Sequence, residues 1–310
     1  MPLFRISAGQ ANPVAQSDFK TEKVLQTLVE ENLGQIFNCR FVATEFSTGA
    51  IHAGRIDTLA LSEEDNPVII EYKKVVSSEL VNQSLFYLAW LADHKGDFEI
   101  AAQKALKGKA KVDWSAIRVI CIAPSYKKYD LHAVQVMGRS IELWTYRLFE
   151  NETFYLEQVH QGSDGEVSSG GVVKNPVMVA AGKKAAITKK TSTWTTEAHI
   201  AGKSNVIQEL FHAVQDYMLS LDSAIEEAPK KLYVAYRTTQ NIVCVEVQKK
   251  RVLLFVKLDP KKSPGPKGIS RDVTDIGHFG TGDLEISLKD AADLEQAKPF
   301  LKLAYEKIGG

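Results

Sequence analysis

Residues 54–73, GRIDTLALSEEDNPVIIEYK, constrain this chain more than any other stretch. The apolar run at 56–61 alternates enough to predict a strand, the Glu-Glu-Asp-Asn-Pro cluster predicts a turn, and 68–72 predicts a second, more buried strand. The product is a β-hairpin with charges on its inner part. Successive side chains in a strand point to opposite faces, so Glu71 and Lys73 project together while Ile70 and Tyr72 project the other way. Asp57, on the partner strand, can face the same side as Glu71. Two carboxylates and an ammonium on a buried sheet cost on the order of several kcal/mol to desolvate unless they pair or bind a cation. The sequence places them where a core would prefer Val.

Such a set suits metal-assisted hydrolysis. The carboxylates of Asp57 and Glu71, with a backbone carbonyl at Tyr72 and waters, make a hard oxygen site for Mg²⁺ or Mn²⁺, and Lys73 beside it can position or deprotonate the attacking water. The bland alternative is an amphipathic hairpin whose charges face solvent. Asp57, thirteen intervening residues and then Glu71-Tyr72-Lys73 resemble the motif of the PD-(D/E)XK nuclease superfamily, with Ile56 where the family's name puts proline. The run Gly-Arg-Ile-Asp followed by Ile-Ile-Glu-Tyr-Lys-Lys is most similar to the branch that contains NucS-type mismatch endonucleases and RecB-like nuclease domains. The resemblance implies a restriction-endonuclease-like α/β fold, a mixed sheet flanked by helices, and Mg²⁺-dependent cleavage of DNA.

Around this hairpin, residues 1–17 suggest an extended lead-in. Ser17 or Asp18 is a candidate N-cap for a helix over 19–37, in which Val24, Leu25, Leu28, Val29, Leu33 and Ile36 recur at helical spacing. Glu22 and Glu30 lie on that helix. The resemblance implies a metal-site glutamate on the first helix, and Glu22 is the better positional match; the alternative for both is a solvated acid near a helix N-terminus. Residues 40–46 predict a strand and 77–93 a helix carrying Gln83 and Tyr87 four residues apart on one face. This Gln-x-x-x-Tyr spacing resembles the motif that RecB-like nucleases use beside the metal, against the DNA strand or the carboxylates. Strands at 117–123, 141–146 and 154–158, with a helix over 131–138, complete the sheet. Lys104, Lys107, Lys109, Lys111, Lys127 and Lys128 are candidate phosphate contacts, although charge runs are commonly plain solvated surface.

The composition changes at residue 160. Gly, Ser, Lys and Thr dominate with little apolar periodicity, which predicts a flexible linker over 161–199 between a nuclease-like domain at 1–160 and a smaller α+β domain at 200–310. Trp194 could pin the linker to a neighbour. The second domain predicts strands at 232–238, 242–247, 251–258 and 284–288 between helices at 206–221 and 290–308. With the phrase Ile-Gly-His-Phe-Gly-Thr-Gly-Asp at 276–283, it resembles an uncharacterised bacterial domain found at protein C-termini and sometimes labelled a predicted transport protein. That label implies no chemistry. The glycines there lack a P-loop ending and predict a tight turn, with His278 a structural histidine before it is a ligand partner of Asp283.

The formal charge of zero announces no polyanionic partner, yet a local basic groove suffices for DNA. Cys39, Cys121 and Cys244 have no metal-ligand spacing and read as buried thiols in a reducing cytoplasm. No stretch has the apolar length of a membrane span. These features predict a cytoplasmic protein; the resemblance implies a DNA endonuclease of repair or of defence against foreign DNA, and cutting both strands with one site per chain favours a homodimer. The alternative is a non-catalytic nucleic-acid-binding or assembly module that keeps the nuclease fold.

Overall fold

The computed structural model describes residues 2–49, 54–77, 79–137, 141–159 and 194–309. Two compact units divide the chain: Met1–Gly34 with Cys39–Thr191, and Gln35–Asn38 with Ser192–Gly310. The first begins with β1 (Leu3–Ser7), β2 (Gln10–Val14) and β3 (Gln16–Ser17), followed by α1 (Glu22–Glu31); the short α2 (Leu33–Ile36) is divided between the two units. Then come β4 (Arg40–Ser47), β5 (Arg55–Leu61), β6 (Pro67–Tyr72), α3 (Leu80–Asp93), α4 (Lys95–Ala105), β7 (Arg118–Ala123), α5 (Lys128–Met137), β8 (Ile141–Phe149) and β9 (Phe154–Gln158).

The main sheet runs β3-β8-β7-β6-β5-β4, with β9 on β8. The meander β4-β5-β6 is antiparallel, whereas β6-β7 and β7-β8 are parallel and joined by helical crossovers. Every residue of β6 is buried, because both faces of the central strand are covered. Ile69, Val119, Cys121 and Leu143 share a core with Leu80, Val81, Leu85 and Leu91 of α3 and with Phe98 and Ala102 of α4. α1 packs against β5 and β6, burying Leu25, Gln26 and Val29. The mixed α/β sheet flanked by helices is the expected class.

Several details depart from the sequence reading. The extended lead-in folds as a separate two-stranded sheet, β1-β2, turning through Ala8 and Gly9 at positive φ. The first helix starts later than expected: Thr21, not Ser17 or Asp18, caps it by accepting from Val24 N, since Ser17 pairs with Leu148 in the sheet. It also breaks at Asn32 instead of running to 37. α4 forms over residues for which the sequence reading gave no element.

The second unit contains α6 (Thr196–Ile200), α7 (Asn205–Leu221), β10 (Glu226–Pro229), β11 (Val234–Arg237), β12 (Asn241–Val247), β13 (Val252–Val256), β14 (Ser270–Asp272), β15 (Leu284–Leu288) and α8 (Ala291–Lys307). Its sheet, β10-β11-β12-β13-β15-β14, is antiparallel throughout. Helices α7 and α8 supply Leu210, Phe211, Val214, Leu294 and Leu301 to a core built with Val243, Val245, Leu254 and Ile286. This is the expected α+β arrangement with helices on one side. Of the segment read as a linker, residues 161–193 lie outside the described residues, and Thr196–Ile200 is helical. His278 stacks on Phe255 with centroids 4.2 Å apart, and Gly280 and Gly282 take positive φ, as a tight turn requires.

Candidate active site

The hairpin β5-β6 keeps its backbone ladder from Leu61↔Pro67 to Thr58↔Ile70 and then loses it. β6 continues alongside β7 through Glu71↔Cys121 and Tyr72↔Ile122, so β5 is the strand that parts company. Carboxylates fill the opening. Asp57 N donates to Glu71 Oε1 at 3.1 Å, and Tyr72 N donates to Asp57 Oδ2 at 3.1 Å. Each acid thus takes the backbone donor that the ladder has released, and the two carboxylates are brought together where the sequence expected them.

Glu71 is fully buried, and its second oxygen, Oε2, has no hydrogen-bond partner among the described residues. Burial, followed by the Asp57 charge, pushes the Glu71 carboxyl well above its ordinary range. Burial likewise raises Asp57, against the lowering effects of the Tyr72 N–H and the Lys73 charge. An unpaired oxygen on a buried acid beside a second acid is a costly arrangement for a protein alone, and a divalent cation would relieve it. The donors are hard oxygens, which fits Mg²⁺ or Mn²⁺ rather than a soft-ligand metal. Among the described residues, no three His, Cys, Asp or Glu side chains are grouped to hold a metal ion. Any ion here would therefore rest on the two carboxylates with backbone and solvent oxygens.

Lys73, just past β6, pairs with Glu22 Oε1 at 3.3 Å, and Glu22 Oε2 accepts from Lys74 N at 2.9 Å. Glu22 lies in the first turn of α1, so that helix clamps the lysine-bearing exit of β6. Gln83 and Tyr87, which the resemblance set beside the metal, meet each other and the start of β5. Tyr87 is buried, and its hydroxyl accepts from Gln83 Nε2 at 3.0 Å and from Arg55 N at 3.1 Å. The pair holds the start of β5 two residues before Asp57. Gly54 makes room for it, since a Cβ there would lie 2.8 Å from Tyr87 Cε1.

Two contributors were missed in the sequence. Gln26 is buried, and its amide donates to Asp57 O at 2.7 Å and Glu30 Oε1 at 2.9 Å, with Thr44 Oγ1 at 3.1 Å. Glu30 also accepts from Thr58 Oγ1 at 2.7 Å, and the Tyr72 hydroxyl lies 3.3 Å from that oxygen. The only signal was the place of Gln26 one turn after Glu22 on the apolar stripe of α1, where a polar residue is out of pattern. The other is Glu45, held at φ 50° within β4 and ion-paired with Lys23 and Arg55. Its charge raises Asp57 further.

Residues 196–308 match the family described as a domain of unknown function, DUF5655. Along 99% of its length the chain is 32% identical to an uncharacterized protein of Haemophilus influenzae, all of which is covered. Two solved structures are similar to part of the chain. The complex of EndoMS with dsDNA is 20% identical, covering 40% of this chain and 44% of that one at a TM-score of 0.30. A repair endonuclease from Pyrococcus abyssi is 19% identical, covering 42% and 48% at a TM-score of 0.28. The chain thus spans less than half of either solved protein.

Proposed function

We propose that this chain, which belongs to one family with the Haemophilus influenzae protein along its whole length, is a divalent-metal-dependent DNA endonuclease that hydrolyses phosphodiester bonds. The observation that carries the reading is the buried Glu71 carboxylate, set against Asp57 with one oxygen unpartnered among the described residues. Asp57 and Glu71, with the Tyr72 carbonyl, would hold Mg²⁺ or Mn²⁺, which supplies positive charge against the phosphate oxygens on which charge grows during attack. Lys73 brings a cation to the same sheet end, where Glu22 restrains its ammonium, so it can orient a water or balance phosphate charge without searching rotamers. Gln26 fixes the Asp57 backbone, and Tyr87 fixes the strand leading into it. A role in repair or in defence against foreign DNA, and a homodimer that cuts both strands, extend the same reading.

Incubation of purified protein with plasmid, branched and single-stranded DNA plus Mg²⁺ or Mn²⁺ tests it. Cleavage is expected in wild type and lost in Asp57→Ala, Glu71→Gln and Lys73→Ala; cleavage unchanged in these variants refutes the assignment. The small number of grouped ligands favours one alternative, a non-catalytic nucleic-acid-binding module with this fold. Titration calorimetry separates the two. Mn²⁺ binding lost in Glu71→Gln supports the enzyme, and absence of binding in wild type supports the module.

A further inference from the structure

The lysines that the sequence groups between 104 and 128 are separated by the topology. Lys73 N donates to Ile122 O at 2.9 Å, and Tyr72 pairs with Ile122 in parallel register, so the turn that follows β7 lies at the carboxylate end of the sheet. Residues 106–117 instead lead into the start of β7, at the other end. There Asp113 N donates to Asp65 O at 2.7 Å and Asn66 Nδ2 to Asp113 O at 2.8 Å, tying that loop to the tip of the β5-β6 hairpin. From Asn66 to Glu71 the chain runs about 16 Å along a strand. Lys107, Lys109 and Lys111 therefore belong to the far end, while Lys127 and Lys128 stand at the near one.

The near turn has a firm root and an open tip. Tyr126 donates its hydroxyl proton toward Cys121 O at 2.6 Å, with Trp144 O at 3.1 Å, and Asp130 Oδ2 accepts from Lys127 N at 3.1 Å. Tyr129, in the first turn of α5, is 85% exposed, and both lysines before it are exposed. Val75 and Val76, just past Lys73, are exposed at the same sheet end. An exposed aromatic face beside two cations, on a turn whose base is hydrogen-bonded, has the chemistry that stacks a nucleobase while neutralising the phosphates around it. A base within a duplex keeps its faces covered by its neighbours, so only an unpaired one can take such a face.

We propose that the β7-α5 turn is a nucleic-acid contact separate from the carboxylates, which takes a DNA strand with an unpaired base: Tyr129 stacks on the base, and Lys127 and Lys128 bind its phosphates. The choice of DNA as ligand rests on the nuclease reading above, but the contact is tested by binding alone, in EDTA, where no cleavage occurs. Anisotropy of a labelled oligo-dT strand and of a blunt duplex of equal length is followed across salt concentrations with the full-length protein. Tyr129→Ala should weaken oligo-dT about 5- to 150-fold, as expected for one lost stack, with the salt slope and duplex affinity unchanged, and Tyr129→Phe should restore binding. The double variant Lys127→Ala/Lys128→Ala should reduce the slope of log K on log salt by about 1.4, at about 0.7 per phosphate on a single strand. Lys109→Ala/Lys111→Ala should change neither. Oligo-dT affinity unaltered by Tyr129→Ala, or a slope reduced as much by the far pair as by the near one, overturns the proposal. Binding as expected without any Mg²⁺-dependent product would overturn the nuclease reading and leave this contact standing.

Discussion

Replacing Gln26 by Leu tests whether α1 holds the carboxylate centre in shape. The amide lies within hydrogen-bond distance of Asp57 O, Glu30 Oε1 and Thr44 Oγ1, and its residue is only 3% exposed. Leu is close in volume, so the cost comes from stranded acceptors and not from a cavity. Asp57 O and the Glu30 carboxylate each lose a donor in a site that water reaches poorly, at about 1–3 kcal/mol apiece, and Glu30 retains the Thr58 hydroxyl. A total of about 2–6 kcal/mol follows, which at a typical urea slope of about 2 kcal/mol per M moves the midpoint of the first unit down by about 1–3 M. Intrinsic fluorescence reads this well, because Trp90, Trp114 and Trp144 lie in that unit and only Trp194 in the other. Mn²⁺ affinity, measured by calorimetry on protein shown to be folded, should fall about 10- to 100-fold, the usual consequence of losing a group that orients a metal ligand. A midpoint and a Mn²⁺ affinity both equal to wild type would refute the assignment of Gln26 as a support for Asp57.

Glu71→Gln should stabilise the metal-free protein at neutral pH. The folded carboxyl titrates well above the ordinary value, so the native state holds a proton that the unfolded chain has released, and wild-type stability falls as pH rises through that window. Urea midpoints between about pH 5 and about pH 8 should be flatter in the variant, and parallel curves would contradict the shift. Gly54→Ala should lower the melting temperature through a cost of about 1–3 kcal/mol, since its Cβ would meet Tyr87 Cε1 at 2.8 Å and Thr48 Oγ1 at 3.0 Å; a tolerated alanine would show that Tyr87 can move aside. Burial pushes the Cys39 thiol up to about 11 and the Cys121 thiol up to about 12, so neither should react with a disulfide reagent at about pH 8 until the protein is unfolded. Mass mapping of the modified residues checks this.

The hairpin with its acids was legible because three local signals agree: alternation, the turn cluster at 63–67, and charged residues inside otherwise apolar strands. What was not legible depends on partners far along the chain. Ser17 has the chemistry of an N-cap, but it is used in β3 against Leu148, so the cap falls to Thr21. The β1-β2 hairpin escaped notice because most of its residues are exposed, and without a buried face the chain needs no apolar alternation. Gln83 and Tyr87 do share a helical face, as their spacing required. Which backbone group that face meets, Arg55 N, is decided by how α3 lies over the sheet, and no spacing along one helix can report that.

The same limit explains the lysines and points to where a neutral chain keeps its field. Read linearly, the lysines at 104–111 and 127–128 stand on either side of one apolar strand. That strand reverses the meaning of proximity, because β7 carries the chain from one end of the sheet to the other and leaves Lys111 and Lys127 at opposite ends. Cations on the elements that flank this end of the sheet therefore come from separate stretches: Lys23 of α1, Arg55 of β5, Lys73 and Lys74 after β6, and Lys127 and Lys128 after β7. Two of these are already paired, Lys23 and Arg55 with Glu45, and Lys73 is held by Glu22. Each such pair holds its cation on an acid of its own, while Asp57 and Glu71 take backbone N–H donors. Glu45, at φ 50° in β4, takes up Arg55 at the rim. Opening the ladder beyond the Thr58–Ile70 pair and capturing the released donors with carboxylates work toward one end. They leave two acids together at one end of the sheet, a placement that on the proposed reading would serve a divalent cation.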